Sequence, residues 1–564
     1  MRKQRLGEIL VEQTPLSADQ VDDAVTQGKE AGQRLGEVLV GRKLLTSDQL
    51  AEALAFQCNF PLASTLPVPE QHDLLQKIPI GYARSQVMLP LELDEQTLKI
   101  AVADPLAIDL FNDLAVLFQR RLECVVAAPE TIHEAINRTY EKQLPHAGDS
   151  IAELDDGTPD ALKVQLENGD LLDSNDDAPI IRFVNSMLTQ ASQRRASDIH
   201  LEPFEKEMVV RFRIDGILYD ILHPPRKAHA GIVSRIKVMA DLDIAEKRLP
   251  QDGRFRVRIA GRDVDVRAST LPTVFGERVV LRLLETTSGV LRLEQVGLDQ
   301  GLLPKVKALT DRPHGIFLVT GPTGSGKTTT LYAALSRLNT QEKNIITVED
   351  PVEYQLDGVG QIQVNPKIDL TFANGLRSIL RQDPDIIMVG EIRDAETAEI
   401  AVQAALTGHL VFSTLHTNDA AGALTRLVEM GVAPFLAASA IIGILAQRLV
   451  RKLCPDCREA YAVDKNLLEE LGLSKKVEPG STFYRPVGCD ACQQLGYRGR
   501  TGLFELLIPD DRTRALVLEN QDAAVIERAA VERGMLTLLS SGLSKALSGE
   551  TSLEEVVRVT REEA

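Results

Sequence analysis

No uninterrupted apolar run in this 564-residue chain approaches the roughly 20 residues that a helix needs to cross a bilayer. The N-terminus, Met1-Arg2-Lys3-Gln4-Arg5, is not followed by the apolar stretch of a secretory signal, so the expectation is a chain made and kept in the cytoplasm. Positive charge is also short. The chain carries 63 Lys and Arg against 81 Asp and Glu, a formal charge of −18, and only 4% aromatic residues. That balance, without a basic-aromatic surface, excludes a protein that lives by wrapping nucleic acid, and no nucleic acid is expected among the partners. Cysteine is scarce, at six in the whole chain. A disulfide scaffold is therefore excluded, and because four of the six fall in two CxxC pairs, metal is the expectation. Cys58 and Cys124 have no Cys or His at ligand spacing and read as small buried hydrophobes. The remaining composition, 44% apolar and 26% charged, is that of an ordinary globular protein too long for a single core.

The most informative stretch is Gly321-Pro322-Thr323-Gly324-Ser325-Gly326-Lys327-Thr328. It follows the apolar run Ile316-Phe317-Leu318-Val319 and precedes the helix-like Thr329-Thr330-Leu331-Tyr332-Ala333, giving strand, glycine-rich turn and helix. In such a P-loop the glycines let backbone amides turn inward onto phosphates and the helix adds its positive N-terminal end. Lys327 then reaches the β- and γ-phosphates, and the Thr328 hydroxyl ligates Mg²⁺. ATP and Mg²⁺ are the expected ligands.

Two later strands deliver acids beside that loop. Ile345-Ile346-Thr347-Val348 ends in Glu349-Asp350-Pro351-Val352-Glu353, and Ile386-Ile387-Met388-Val389 closes on Gly390-Glu391, the Walker B pattern. Acids at the C-terminal ends of parallel strands sit where a nucleotide's Mg²⁺ and an attacking water belong. His409 and His416 flank the run Leu410 to Leu415, either as structural histidines or as sensors of the γ-phosphate. Cys454-Pro455-Asp456-Cys457 and Cys489-Asp490-Ala491-Cys492 offer four thiolates, a set suited to tetrahedral Zn²⁺ with no position left for chemistry; a redox role is the lesser alternative.

The flanking regions carry less chemistry. Arg5-Leu6-Gly7-Glu8-Ile9-Leu10-Val11 recurs as Arg34-Leu35-Gly36-Glu37-Val38-Leu39-Val40, which reads as two copies of one helical hairpin. Residues 60–140 read as a small α/β domain, and together these make an N-terminal module over 1–143. An acidic linker, rich in Gly, Ser and Pro, spans 144–177. An α/β domain over 178–295 is rich in arginine, as in Val209-Val210-Arg211-Phe212-Arg213. Its arginines are either solvated strand faces or groups aimed at a phosphate held by another domain or subunit. The segment 296–564 holds the P-loop, the cysteine site within 451–500, and a helical, motif-free end.

The P-loop, the Asp box Val348 to Glu353, the stretch Leu380 to Glu391, the His box Thr407-Gly408-His409 and the segment Ala196-Ser197-Asp198-Ile199-His200 together resemble, in order and spacing, the secretion ATPases of the type II system and the type IV pilus. The cysteine site and Gly499-Arg500-Thr501-Gly502 with Glu505-Leu506-Leu507 look most like the type II branch. The resemblance implies a RecA-like P-loop ATPase core, preceded by a PAS-like α/β domain and carrying a zinc-binding insertion. It implies a homo-hexamer with Glu391 as general base or water-positioner, Glu353 assisting at the metal, and Arg267 and Arg282 as arginine fingers. It further implies docking on L-type and F-type inner-membrane platform proteins, on the inner face of that membrane, to drive a pseudopilus. The paired repeats are similar to a module that binds cyclic di-GMP in some members, although Thr14 and Lys43 stand where that motif usually has Gly. The rivals are a pilus extension motor, a nucleic-acid motor and a cyclic di-GMP receptor.

Overall fold

A computed structural model describes residues 5–31, 33–69, 74, 77–78, 80–94, 96–141, 179–259, 262–285, 291–474 and 476–561. The expected linker over 144–177 lies outside them. The chain divides into two compact units, Met1–Thr287 and Ser288–Ala564.

The first unit opens with four helices, Leu6–Gln13, Ala18–Ala31, Leu35–Gly41 and Ser47–Cys58. The sequence repeat has a direct physical origin. The backbone amides of Arg5 and Arg34 donate to Glu8 Oε2 and Glu37 Oε2, each at 3.0 Å, so both copies start with the same capping box. Each repeat glycine lies under a neighbouring helix: a Cβ on Gly7 would be 2.9 Å from Val21, and one on Gly36 2.7 Å from Leu50. Lys43 takes φ of 58°, the left-handed conformation that favours glycine. A three-stranded sheet follows, β1 (Met88–Leu93), β2 (Thr97–Val102) and β3 (Arg121–Val126) in that order, packed with helices Ile108–Phe118 and Pro129–Glu141 around a separate core. Cys124 is buried there, which pushes its thiol up to about 11; Cys58 is partly buried.

Residues 179–285 form an antiparallel six-stranded sheet. Its strands are β4 (Ala196–Pro203), β5 (Met208–Ile214), β6 (Ile217–Leu222), β7 (Gln251–Ile259), β8 (Arg262–Thr273) and β9 (Gly276–Glu285), in the order β6-β5-β4-β9-β8-β7. Strict alternation gives the sheet two characters. Ile199, Leu201, Val210, Phe212, Val266 and Leu281 are buried, as are Phe183, Met187 and Ile236 on helices Pro179–Gln193 and His229–Met239. The intervening positions of β5, β7, β8 and β9 carry the arginines.

The second unit is built on a seven-stranded sheet ordered β12-β11-β13-β14-β10-β15-β18. In chain order these are β10 (Gly315–Thr320), β11 (Ile345–Glu349), β12 (Gly360–Gln363), β13 (Ile386–Val389), β14 (Leu410–Leu415), β15 (Ile441–Leu453) and β18 (Tyr497–Leu507). All neighbours are parallel except β15 and β18. The parallel strands read as continuous apolar runs because helices cover both faces, with one core on each side. Leu453 pairs with Tyr497 at the end of the antiparallel β15–β18 ladder, so residues 454–496, including the hairpin β16 (Glu459–Ala462) and β17 (Thr482–Arg485), loop out between adjacent strands. That insertion shares a core with the last two helices, Leu538–Leu547 and Leu553–Arg561, through Val463, Leu468, Phe483, Leu543 and Val556. Among the described residues no helix is long and apolar enough to cross a membrane.

A buried ion pair ties the final helix to β15. Arg451 Nη2 lies 2.8 Å from Glu555 Oε2, its guanidinium stacks 3.9 Å from the Tyr497 ring centroid, and Glu555 is 2% exposed. Burial alone pushes the Glu555 carboxyl up, but hydrogen bonds from Arg558 and Arg451 outweigh it and hold it at about 2. Because the folded value is depressed, this contribution to stability is complete above the ordinary carboxylate range and is lost as pH falls towards 2. Glu555→Ala breaks the buried pair by removing the carboxylate that Arg451 and Arg558 share and is expected to lower the unfolding free energy by about 3–5 kcal/mol at neutral pH, with a shallower loss on acidification than wild type. Denaturant titrations at pH 7 and pH 4 measure both; unchanged midpoints contradict this account.

Candidate active site

The P-loop joins β10 to helix Lys327–Leu338 and rests on β15. Gly321 and Gly326 have φ of 148° and 86°, and there is no room for a side chain at either. A Cβ at Gly321 would lie 2.4 Å from the Gln447 carbonyl oxygen, and one at Gly326 2.8 Å from Gln447 Nε2. Thr330 Oγ1 donates to Gln447 Oε1 at 2.7 Å, fastening the helix's first turn to the same side chain. Ser325 Oγ, beneath the loop, is buried without a hydrogen-bond partner among the described residues. Lys327 is buried and donates from Nζ to the carbonyls of Gly321 at 2.7 Å and Pro322 at 3.2 Å. Burial pushes its amine down to about 8; Arg448 adds to the fall and Glu391 opposes it. A loop of positive-φ glycines, an orphaned hydroxyl, a desolvated lysine and the half-exposed Thr328 fits the triphosphate and Mg²⁺ of a nucleotide.

The parallel register brings the ends of β11, β13 and β14 to the same edge of the sheet as this loop. Glu391 follows β13 with its side chain only 13% exposed. Oε1 lies 2.5 Å from Arg393 Nη2, and Oε2 lies 3.2 Å from His416 Nε2. His416 follows β14 directly and leads into Thr417, whose amide donates to Thr320 Oγ1 at the top of β10. The carboxylate, histidine and P-loop strand are therefore one connected group.

Not every acid expected on this edge faces outward. Glu349 is 3% exposed and turned into the core, where it accepts from Tyr332, from Thr347 at 2.5 Å and from Gln361 at 3.1 Å. Glu353 lies beyond it on an exposed loop, with a backbone hydrogen bond to Tyr332. His409 corrects the expectation more sharply. It stands at the start of β14, roughly 20 Å along the strand from His416, with Nδ1 3.0 Å from the Ala404 carbonyl. Six strand residues carry it to the opposite end of the sheet, so it closes helix Ala395–Leu406 and is not brought to the P-loop of its own chain. The sequence reading missed Arg393 and Gln447. The first is separated from the Walker B acid by one residue; the second is hidden in an apolar strand that carries no motif.

Arg267 and Arg282 belong to the first unit. They are direct cross-strand partners on β8 and β9, and Arg254 on β7 opposes Arg267 in turn, so the three form one row. Arg282 Nε donates to Asp198 Oδ1 at 2.9 Å.

The four paired cysteines converge, with all sulfurs within 4.8 Å of one another. A tetrahedral zinc with arms of about 2.3 Å has sulfur–sulfur edges of about 3.8 Å. The measured separations are 3.8 Å for Cys454–Cys489, 3.8 Å for Cys457–Cys492 and 3.7 Å for Cys489–Cys492. Backbone amides of Gly488, Cys489 and Gly496 donate to sulfur at 3.2–3.3 Å, which favours thiolate. Burial pushes the Cys454 thiol up to about 12, whereas at Cys492 the amide donors outweigh burial and bring it to about 7. The donor set fits zinc.

Comparison with known proteins agrees with this geometry. The family described as Type II/IV secretion system protein matches residues 173–558, and the MshEN domain matches 58–146. The type II secretion system protein E of Dickeya dadantii is 51% identical over 498 residues, 87% of this chain and 98% of that protein. The type II secretion system ATPase E of Vibrio cholerae is 48% identical, over 88% and 98%. The type IV pilus assembly ATPase PilB of Myxococcus xanthus is 44% identical over 98% of each chain. In fold the chain is like the X-ray structure of the Legionella pneumophila ATPase DotB, with TM-score 0.50, 23% identity and coverage of 66% of this chain and 94% of that one. With a family match across more than half its length and relatives near half-identical over most of it, the chain belongs to the Type II/IV secretion system protein family and is a RecA-like P-loop ATPase of that family.

Proposed function

We propose that this ATPase is the hexameric motor of a type II secretion system, working on the inner face of the inner membrane and driving a pseudopilus that exports folded proteins across the outer membrane. The observation that carries the catalytic reading is Glu391, held between His416 and Arg393 on the sheet edge that also bears the P-loop. In this reading the amides of Gly321 to Thr328 hold the phosphates, and Lys327 exchanges its two loop carbonyls for the β- and γ-oxygens. Thr328 would hold Mg²⁺, with Glu353 assisting. Glu391 orients or deprotonates the attacking water, and His416 fixes the carboxylate. Arg267 and Arg282 act as arginine fingers towards a phosphate held by a neighbouring copy. The cysteine site is structural, because four thiolates leave zinc no open position. The N-terminal module docks on the L-type and F-type platform proteins, and the paired repeats are a candidate cyclic di-GMP site.

One observation favours a second reading, extension of a type IV pilus. The Myxococcus pilus protein matches 98% of this chain, whereas the Dickeya secretion protein matches 87%. Deleting the gene separates the two: exoproteins retained in the periplasm support secretion, and lost surface pili support extension.

Glu391→Gln is expected to bind ATP as wild type does and to hydrolyse it at least about a hundredfold more slowly. A mutant that turns over at the wild-type rate removes Glu391 from the role of base and passes it to Glu353. Purified wild type is expected to hold one zinc per chain by atomic absorption. Cys489→Ser should lose the metal and lower the melting temperature while still binding ATP; a variant that keeps its metal contradicts the site.

A further inference from the structure

On β4 the polar side chains are buried. Asp198, His200 and Glu202 alternate along one face of the strand and are 5%, 8% and 7% exposed, beneath longer side chains from both neighbours. Arg211 and Arg213 reach over from β5; Arg278 and Arg282 reach over from β9. Burial, then Arg213 and Arg278, push the His200 imidazole below its ordinary range.

Asp198 lies in the same cross-strand row as Arg282, Arg267 and Arg254, with Arg213 on its other side. Oδ1 accepts from Arg282 Nε at 2.9 Å, while Oδ2 accepts from Ser197 Oγ at 2.8 Å and lies 3.7 Å from Arg213 Nε. The carboxylate side chain is 7% exposed and that of Arg282 57%. The contact therefore holds the guanidinium by its inner nitrogen, Nε, on a side chain that is otherwise more than half exposed. With Nε taken by the carboxylate, the two Nη groups are the edge left that can meet a phosphate bidentately. Without the carboxylate, three arginines directly opposed on adjacent strands would repel one another, and Arg282 would be free to swing away.

We propose that Asp198 is a positioning residue, which holds Arg282 with its outer edge presented to the nucleotide phosphate and offsets the charge of the Arg254–Arg267–Arg282 row. The inference rests on the reading of Arg282 as a phosphate-facing group. It assigns to the Asp of Ala196-Ser197-Asp198-Ile199-His200 a task in turnover rather than in folding alone.

A double-mutant cycle on the full-length assembled chain tests it, with hydrolysis followed by radiolabelled ATP so that residual rates are measured. Asp198→Asn is expected to lower kcat by about tenfold to a hundredfold, the cost of misplacing a positioned group, with KM for Mg·ATP changed by less than about threefold. In the Arg282→Ala background the same substitution should add nothing, since it acts through the missing side chain. If Arg282→Ala turns over at the wild-type rate, the phosphate reading of Arg282 falls and this inference with it. If Arg282→Ala is slow but Asp198→Asn is fast, or if the two losses multiply, the inference alone is overturned. Melting curves of each variant check folding. Should Asp198→Asn fail to fold, Ser197→Ala removes one hydrogen bond to Oδ2 and keeps the charge; a loss of turnover that disappears in the Arg282→Ala background supports the proposal, and one that persists there, or no loss at all, overturns it.

Discussion

The backbone of β15 approaches the phosphate-binding loop so closely at Gly321 that a Cβ there would lie 2.4 Å from the Gln447 carbonyl, and the geometry of the site follows from that contact. Gln447 also accepts from Thr330 and lies under Gly326, so one buried side chain sets the loop, its helix and its strand together. The parallel register then carries the rest. β14 lies beside β10 and β13 beside β14, so His416 and Glu391 must emerge at the loop's edge, and His409 must not. A site assembled in this way is placed by backbone pairing, and its side chains need only short reaches.

The same strand organises the C-terminal region. Because β15 and β18 are antiparallel partners, the forty-odd residues between them leave and return at one point, and the four cysteines gather at its base. The insertion has its own hairpin but borrows its core from the last two helices. Arg451 on β15 binds Glu555 on the final helix within the same region. The insertion and the terminal helices thus act on stability as one block, with the four-cysteine cluster at its base.

Much of this was legible in the sequence because the chemistry repeats local patterns. Glycine spacing between an apolar strand and a helix located the phosphate loop, and alternation along Val209 to Ile214 located a half-polar sheet. The cysteine pairs located their own site. Other features could not be read locally. Nothing in Glu349 distinguishes it from Glu353 until Tyr332 and Gln361 are brought over it by β11 and β12. His409 and His416 look symmetrical about a strand, and only the direction of β10 relative to β14 says which end holds the loop. Gln447 is invisible in an apolar run. The RLGE repeat was legible as a repeated helix start, since capping by Glu8 and Glu37 and close packing at Gly7 and Gly36 place those residues.

We propose that the arginine-rich sheet face, with its buried carboxylate spine beneath, meets an anion from outside that sheet. The central claim is that this anion is the nucleotide phosphate held by the P-loop of a neighbouring copy. A structure of the assembled chain with Mg²⁺ and a non-hydrolysable ATP analogue tests it most directly. The account predicts the γ-phosphate between Lys327 of one copy and Arg282 of the next, with Glu391 facing the water position and Asp198 still bound to Arg282. An assembly in which Arg267 and Arg282 face solvent, remote from every nucleotide, would contradict it.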